Sequence, residues 1–330
     1  MTARDGPADS RPARPGRPAS TPDLMATLAG RLTARDRWLL RMLHEHRVLT
    51  SAQITQLAFG TTRAATARLL ILHRYRAVDR FRPLARRGSA PWHFVLGEAG
   101  ARVLAAEDGV TLTQLGYRRD RALDIAVSPQ LAHTTGANGF FTALAAAARA
   151  GHGQLACWWG ERRCAALWGD LARPDGYARW RGHNGGQPAE AEFFLEYDTG
   201  TEDLPRLAAK LAGYRMLAER TGIITPVLFW LPGPRRETAL HALLARDPRP
   251  GADRVPVATA TPVLAGEDGP EGPAWLPAGT PGPRRQLAQL PAAWPATEST
   301  TADPPSGGPA PADPPGLPWH PPDPAPPGPG

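Results

Sequence analysis

The sequence predicts an α+β protein in which an N-terminal winged helix-turn-helix is followed by a small α/β domain, with disordered segments at both ends. Three observations carry that expectation. Residues 31 to 107 run through helix-period stretches and then two strand-period ones. From 129 onward an alanine-rich helical stretch is succeeded by short apolar runs with helical pieces between them. Proline is concentrated at one end, with 21 of the 38 prolines lying between 261 and 330. A chain of 330 residues suggests two domains. The expected division is 1–30 disordered, 31–107 winged helix, 108–128 connector, 129–263 α/β domain and 264–330 Pro-rich disordered tail.

The first domain starts at Thr33 with Asp36 three residues later, a helix-start pattern. Trp38, Leu39, Met42, Leu43 and His46 then form one apolar side. Thr50 and Gln53 repeat a capping-box pattern ahead of Ile54, Leu57 and Ala58, and Phe59-Gly60 makes a turn. A third helix over 62–74 turns Ala65, Leu69, Leu70 and Leu72 inward and leaves Arg63, Thr66, Arg68 and His73 at or near its open side, which makes it the recognition-helix candidate. Strands over 77–81 and 92–96 follow, joined by the basic stretch that holds Arg82, Arg86 and Arg87. Those three arginines would meet phosphates, giving affinity with little sequence information. A helix from Gly97 to Leu104 closes the domain. Between 31 and 128 stand 17 arginines against 8 acids, whereas residues 129–330 carry 17 basic against 20 acidic residues. The basic charge is thus segregated into the first domain, as expected for a nucleic-acid partner, here double-stranded DNA; the competing reading is a winged helix used for protein contacts.

Residues 118–128 read as a polar connection. The second domain opens with a helix from Leu131 to Arg149, rich in alanine, in which His133 and Asn138 stand out among small and apolar neighbours. A strand near 155–159 comes next, then a turn at Asp175, a strand over 192–198, a helix from about Asp203, a strand over 226–231, a helix over 235–246 and a final edge strand over 255–263.

Of the 38 basic residues 37 are arginine, and the single lysine is Lys210. Glu196 and Asp198 are two apart on a strand, so they share one face about 7 Å apart, opposite Phe193, Leu195 and Tyr197. Leu207, Lys210, Leu211, Tyr214 and Leu217 make one helical stripe. An ammonium on an apolar face needs a carboxylate partner, and the preceding strand supplies one. With Asp175 as a third acid, this set suits phosphodiester hydrolysis: carboxylates hold Mg²⁺, the metal activates a water, and a lysine orients it or neutralises charge. The competing reading is a structural ion-pair network.

At these residues the sequence resembles the PD-(D/E)xK nuclease-like fold. The usual lysine position of that superfamily holds Asp198 here, so the resemblance implies that Lys210 is a migrated lysine reaching in from the helix. It assigns catalytic roles to Asp175, Glu196, Asp198 and Lys210, with Asp175, Glu196 and Asp198 as metal ligands. Residues 32 to 246 also resemble the actinobacterial replication-relaxation family. That likeness is carried by Leu32-Thr33-Ala34-Arg35-Asp36-Arg37-Trp38, Ser89-Ala90-Pro91-Trp92-His93, His133-Thr134-Thr135-Gly136-Ala137-Asn138-Gly139-Phe140, Arg173-Pro174-Asp175-Gly176 and the stretch from Phe194 to Glu202. It implies a protein of plasmids or integrated conjugative elements, tied to replication or relaxation of their DNA.

Two functions stay open: a DNA-binding accessory protein working with replication or conjugation proteins, and a Mg²⁺-dependent DNA endonuclease. No glycine-rich run precedes Lys210, which excludes a P-loop, and no Gly-x-Ser-x-Gly is present. His44 and His46, two apart on a helix, do not share a face and are no metal motif. Cys157 and Cys164 make no disulfide framework and read as buried thiols of a cytoplasmic protein. No run of 18 apolar residues and no signal-peptide core is present.

Overall fold

A computed structural model describes residues 27–28, 30–84, 88–246, 255–279, 282–294 and 320–328. Helix α1 (Ala34–His46) begins as expected, because the Thr33 hydroxyl accepts from the Asp36 backbone N–H while the Asp36 carboxylate accepts from that of Thr33 at 2.7 Å. Two helix-end donors are thereby satisfied reciprocally. The chain reverses at Arg47, whose φ is 67°, and enters β1 (Leu49–Thr50). Thr50 and Gln53 form the second capping box, at the start of α2 (Ser51–Ala58). Helix α3 (Thr62–Arg74) is capped by the Thr61 hydroxyl, which accepts from the Ala64 N–H at 3.2 Å.

Strands β2 (Val78–Phe81) and β3 (His93–Leu96) pair antiparallel, with Val78 opposite Leu96 and Phe81 opposite His93. β1 adds to the other side of β3, giving a three-stranded sheet in the order β1-β3-β2. Helix α4 (Glu98–Glu107) covers it. Gly97, just ahead of α4, is required by close approach: a Cβ there would stand 2.2 Å from the Arg76 carbonyl oxygen. The following segment, expected as a polar connection, is anchored by buried Leu115 and Ile125 and contains the short helix α5 (Arg119–Asp124).

Helix α6 (Leu131–Arg149) then leads to β4 (Gln154–Gly160) and α7 (Glu161–Trp168). Next come β5 (Gly176–Asn184) and β6 (Gln187–Tyr197), a long hairpin whose turn is Gly185-Gly186, at φ 60° and 83°. Helices α8 (Leu204–Ala209) and α9 (Leu211–Thr221) share a boundary at Lys210. They are followed by β7 (Val227–Trp230), α10 (Pro234–Leu244), β8 (Val257–Ala260), α11 (Pro262–Ala265) and β9 (Leu276–Pro277). The second sheet has the order β4-β5-β6-β7-β8-β9, with β6, β7 and β8 parallel and the remaining pairs antiparallel. The architecture is therefore mixed α+β.

Both faces of this sheet are covered. Phe193, Leu195, Leu228 and Trp158 pack on Phe140, Phe141 and Leu144 of α6, and the same core runs without a break into Leu39, Leu40, Ile54 and Leu57 of the N-terminal half. On the other face Phe194, Phe229 and Val257 meet Leu207, Leu211, Tyr214, Leu217 and Leu240.

Three expectations need correction. A whole strand, β5, lies in a stretch where only a turn at Asp175 was expected. The strand at 255–263 is shorter, and it is internal because β9 pairs with it. Part of the expected disordered tail is folded: Trp275, Leu287 and Leu290 are buried in the core, and the Trp275 indole donates to the Pro270 carbonyl at 2.7 Å. Proline forbids helix interiors and ladder donors, but scattered tryptophan and leucine side chains still bury enough apolar surface to fix an irregular segment. Farther on, the Asp323 carbonyl accepts from the Trp38 indole at 2.6 Å. The disorder expected at 1–26 and 295–319 lies outside the described residues.

Candidate nucleic-acid interface and acidic site

The N-terminal half turns one face of α3 to solvent. Arg63, Thr66 and Arg74 are exposed on it, while Ala65, Leu69 and Leu72 are buried behind. α3 contains no acidic residue, and no ion pair engages Arg63 or Arg74 among the described residues. Two of the residues expected on this face are tied down instead. Arg68 reaches back to α1, where its Nε donates to Asp36 Oδ1 at 2.9 Å. Burial alone would raise the Asp36 carboxyl, but the Arg68 bond and the Thr33 donors outweigh it and hold the group below its ordinary range. His73 places its Nδ1 3.1 Å from the Val78 carbonyl. At the open end of the β2–β3 hairpin Arg80 and Arg82 flank the Trp92 ring, 4.2 and 4.3 Å from its centroid, a cation–π arrangement that holds two guanidinium groups near the surface. Arg86 and Arg87 lie outside the described residues.

The acidic residues cluster where β5 and β6 begin and end. Strand alternation puts Phe194 and Glu196 on the face that meets α8 and α9. Glu196 is 1% exposed, and each of its oxygens has a donor: Lys210 Nζ lies 2.8 Å from Oε2, and the Tyr214 hydroxyl donates to Oε1. Burial first, and then the negative charge of Asp175, push the Glu196 carboxyl up to about 7, against the pull of Lys210 and Tyr214 toward the charged form. Burial by itself would lower Lys210. Glu196 and Asp175 outweigh it and raise the ammonium above its ordinary value, so Lys210 stays charged. Tyr214 is raised by burial and by the Glu196 charge, and it remains a donor. Glu202, 3.5 Å from Lys210 Nζ, completes the set.

Asp175 and Asp198 are held separately. Asp175 accepts from the Tyr197 backbone N–H at 2.7 Å and stands 2.8 Å from His133 Nε2 on α6. Burial would lower His133, but its bond to Asp175 and the charge there prevail and raise it. Asp198 accepts from the Gly200 N–H at 2.8 Å and from the Arg236 guanidinium on α10. Asn138 does not reach the acids. Its amide donates to the His46 and Val48 carbonyls at 3.0 and 2.7 Å, stitching α6 to the α1–β1 turn.

The structure thus joins Glu196 to Lys210, as the sequence led one to expect, and gives Asp175 and Asp198 partners of their own. Every oxygen of the three expected metal ligands already faces a protein donor. Among the described residues no group of three or more His, Cys, Asp or Glu side chains could hold a metal ion. The arrangement fits an ion-pair network and does not fit Mg²⁺ without rearrangement. Tyr214 and Arg236 carry no distinguishing signal in the sequence, since one occupies an apolar stripe position and the other is one arginine among 37. His133, by contrast, is marked by its oddity among alanines.

The chain matches the replication-relaxation family over residues 40–228, more than half its length, and belongs to that family. No curated protein and no solved structure matches it. Membership points to a role in the replication or relaxation of mobile DNA and to DNA or replication-related partners. No helix among the described residues is long and apolar enough to cross a membrane.

Proposed function

We propose that this chain is a DNA-binding accessory protein in the replication or relaxation of plasmid or integrated conjugative element DNA, and that residues 31–107 act as a winged helix on the duplex. The observation that carries this reading is the exposed, acid-free face of α3 with Arg63, Thr66 and Arg74, next to a hairpin that presents Arg80 and Arg82. In the major groove α3 would bring Arg63 and Thr66 to base edges or phosphates, while the hairpin arginines neutralise the backbone beside it. Arg68 contributes by fixing α3 to α1 through Asp36, not by touching DNA. The second domain, on this reading, is a nuclease-like fold of PD-(D/E)xK type whose acids stabilise the protein.

The test is fluorescence anisotropy on labelled duplex across a salt series. Arg63→Ala and Arg82→Ala should each weaken binding and lower the salt slope by about 0.9, the loss of one phosphate contact. Salt-independent binding, or variants that bind as the parent does, would overturn the reading. The alternative is a Mg²⁺-dependent endonuclease using Asp175, Glu196, Asp198 and Lys210. It requires Lys210, His133 and Arg236 to release their carboxylates, and it gains support from Asp175 acting electrostatically on both Glu196 and Lys210. Nicking of supercoiled plasmid in Mg²⁺ or Mn²⁺, absent in EDTA and lost in Glu196→Ala and Lys210→Ala, would establish that alternative in place of the first.

A further inference from the structure

A second basic surface lies at the junction of the two halves. There a cleft of about 190 Å³ is lined by His44 and Arg47 from the end of α1, Tyr117, Arg118 and Arg121 at the start of α5, and Arg162 of α7. None of the residues lining it is acidic. Four arginines from three separate segments therefore line one space.

Bringing them together has costs that the fold sustains. Arg47 sits in the left-handed region, with φ 67° and ψ −50°, which a residue with a Cβ adopts at some expense. Arg162 is buried enough that desolvation pushes it below its ordinary range, and the charges of Arg47 and Arg163 add to this against Glu45 and Glu161. Its guanidinium donates to the His44 carbonyl, which fixes it in the wall. Arg118 pairs with Asp120 at 3.0 Å on the exposed rim. No ion pair engages Arg47 or Arg121 among the described residues. Such a site is short of negative charge, and a phosphate is the group that guanidinium forks match best.

Arg47 and Arg162 also line a second cleft, of only about 10 Å³, bounded by Glu45, His46, His133, Thr134, Glu161 and Asp175. In it the His46 ring nitrogens and the Thr134 hydroxyl are buried and without a hydrogen-bond partner. The two clefts therefore share a wall built from Arg47 and Arg162.

We propose that this junction cleft binds the sugar-phosphate backbone of a single nucleic-acid strand. Arg47, Arg118, Arg121 and Arg162 hold successive phosphates, and the Tyr117 ring offers an apolar surface to the adjoining sugar or base. The proposal rests on reading the chain as a DNA-binding protein and adds a site that takes an opened strand and is lined by no residue of α3.

The test uses the full chain with labelled oligothymidylate and, separately, labelled duplex. Arg118→Ala/Arg121→Ala should weaken oligothymidylate binding at least about tenfold and lower its salt slope by about 1.4, two phosphates at roughly 0.7 each on single strands. Duplex binding should be unchanged, and so should the circular dichroism spectrum. Arg119→Ala removes one positive charge, half that of the double variant, from the same helix outside the cleft, where Arg119 faces Asp79 at 3.5 Å, and should leave oligothymidylate binding intact. Failure of the parent to bind oligothymidylate, an unaffected double variant, or an equal loss in Arg119→Ala would each overturn the proposal. Oligothymidylate binding that depends on the cleft in a protein that ignores duplex would uphold it while sinking the winged-helix reading.

Discussion

Lys210 is the sole ammonium side chain in a protein that otherwise uses arginine, and its partner is a carboxylate almost wholly removed from water. Two donors on Glu196 offset the cost of burying that charge. Taking away Lys210 leaves Tyr214 alone to do so, and the carboxyl, already raised by burial and by Asp175, will take up a proton in part. Lys210→Met is therefore expected to destabilise by about 3 kcal/mol, near the lower end for breaking a buried pair. Glu196→Gln combined with Lys210→Met should cost clearly less than the sum of the two single changes, because the double variant buries no unpaired charge. Urea midpoints for the four proteins measure the coupling. Strict additivity would show that the two side chains do not support one another, whatever their distance.

Helices α8 and α9, which the spacing reads as one helix and the structure divides at Lys210, illustrate what a sequence can and cannot disclose at the scale of an element. The stripe Leu207, Leu211, Tyr214 and Leu217 is visible in the spacing, and all four are buried as the period demands. So are the two capping boxes and the bounds of α3, since those signals are local. β5 is hidden because its residues, Tyr177 and Trp180 among arginines and glycines, do not alternate cleanly; both its faces are largely covered by other parts of the chain. The Asn184-Gly185-Gly186 turn is the available clue to that hairpin. The partners of Asp175 and Asp198 come from α6 and α10, far away in sequence, and no spacing rule reaches that far. Gly213 shows the same limit. In an isolated helix Gly213→Ala would gain about 1 kcal/mol, yet here a Cβ would stand 2.3 Å from the Leu171 carbonyl oxygen. That oxygen is backbone and cannot swing aside. The substitution is expected to destabilise by about 1–3 kcal/mol and to move Tyr214 and Lys210 off Glu196, seen as a lower thermal midpoint where a propensity argument expects a higher one.

Across the whole molecule the two halves are fastened by more than the chain between them. Glu45 of α1 and Arg163 of α7 form an ion pair with neither side chain exposed by more than 1%, the Gln53 amide donates to the Thr135 carbonyl at 2.8 Å, and one apolar core spans both. The two should unfold in one transition. At the same junction lie two histidines that must stay neutral. Burial, followed by the charge of Arg162, lowers His44 to about 4, and burial lowers His46 to about 3 as its ring stacks on Trp158 with centroids 3.6 Å apart. Their folded values are below the unfolded value of 6.5, so the unfolded chain binds more protons once the pH falls below that value. Stability is therefore complete above it and declines below it, each histidine removing about 1.4 kcal/mol per pH unit until its folded value is reached. Two such groups together rival the 5–15 kcal/mol that roughly bounds a domain's stability. A single acid transition followed by tryptophan fluorescence and circular dichroism is expected, with both probes coincident. His46→Phe keeps the stacked ring and removes the titrating nitrogens, so it should move that transition to lower pH. If the acid midpoint of His46→Phe equals that of the parent, protonation of His46 does not drive the unfolding; if the two probes separate, the halves are independent and the shared core does not make them one cooperative unit.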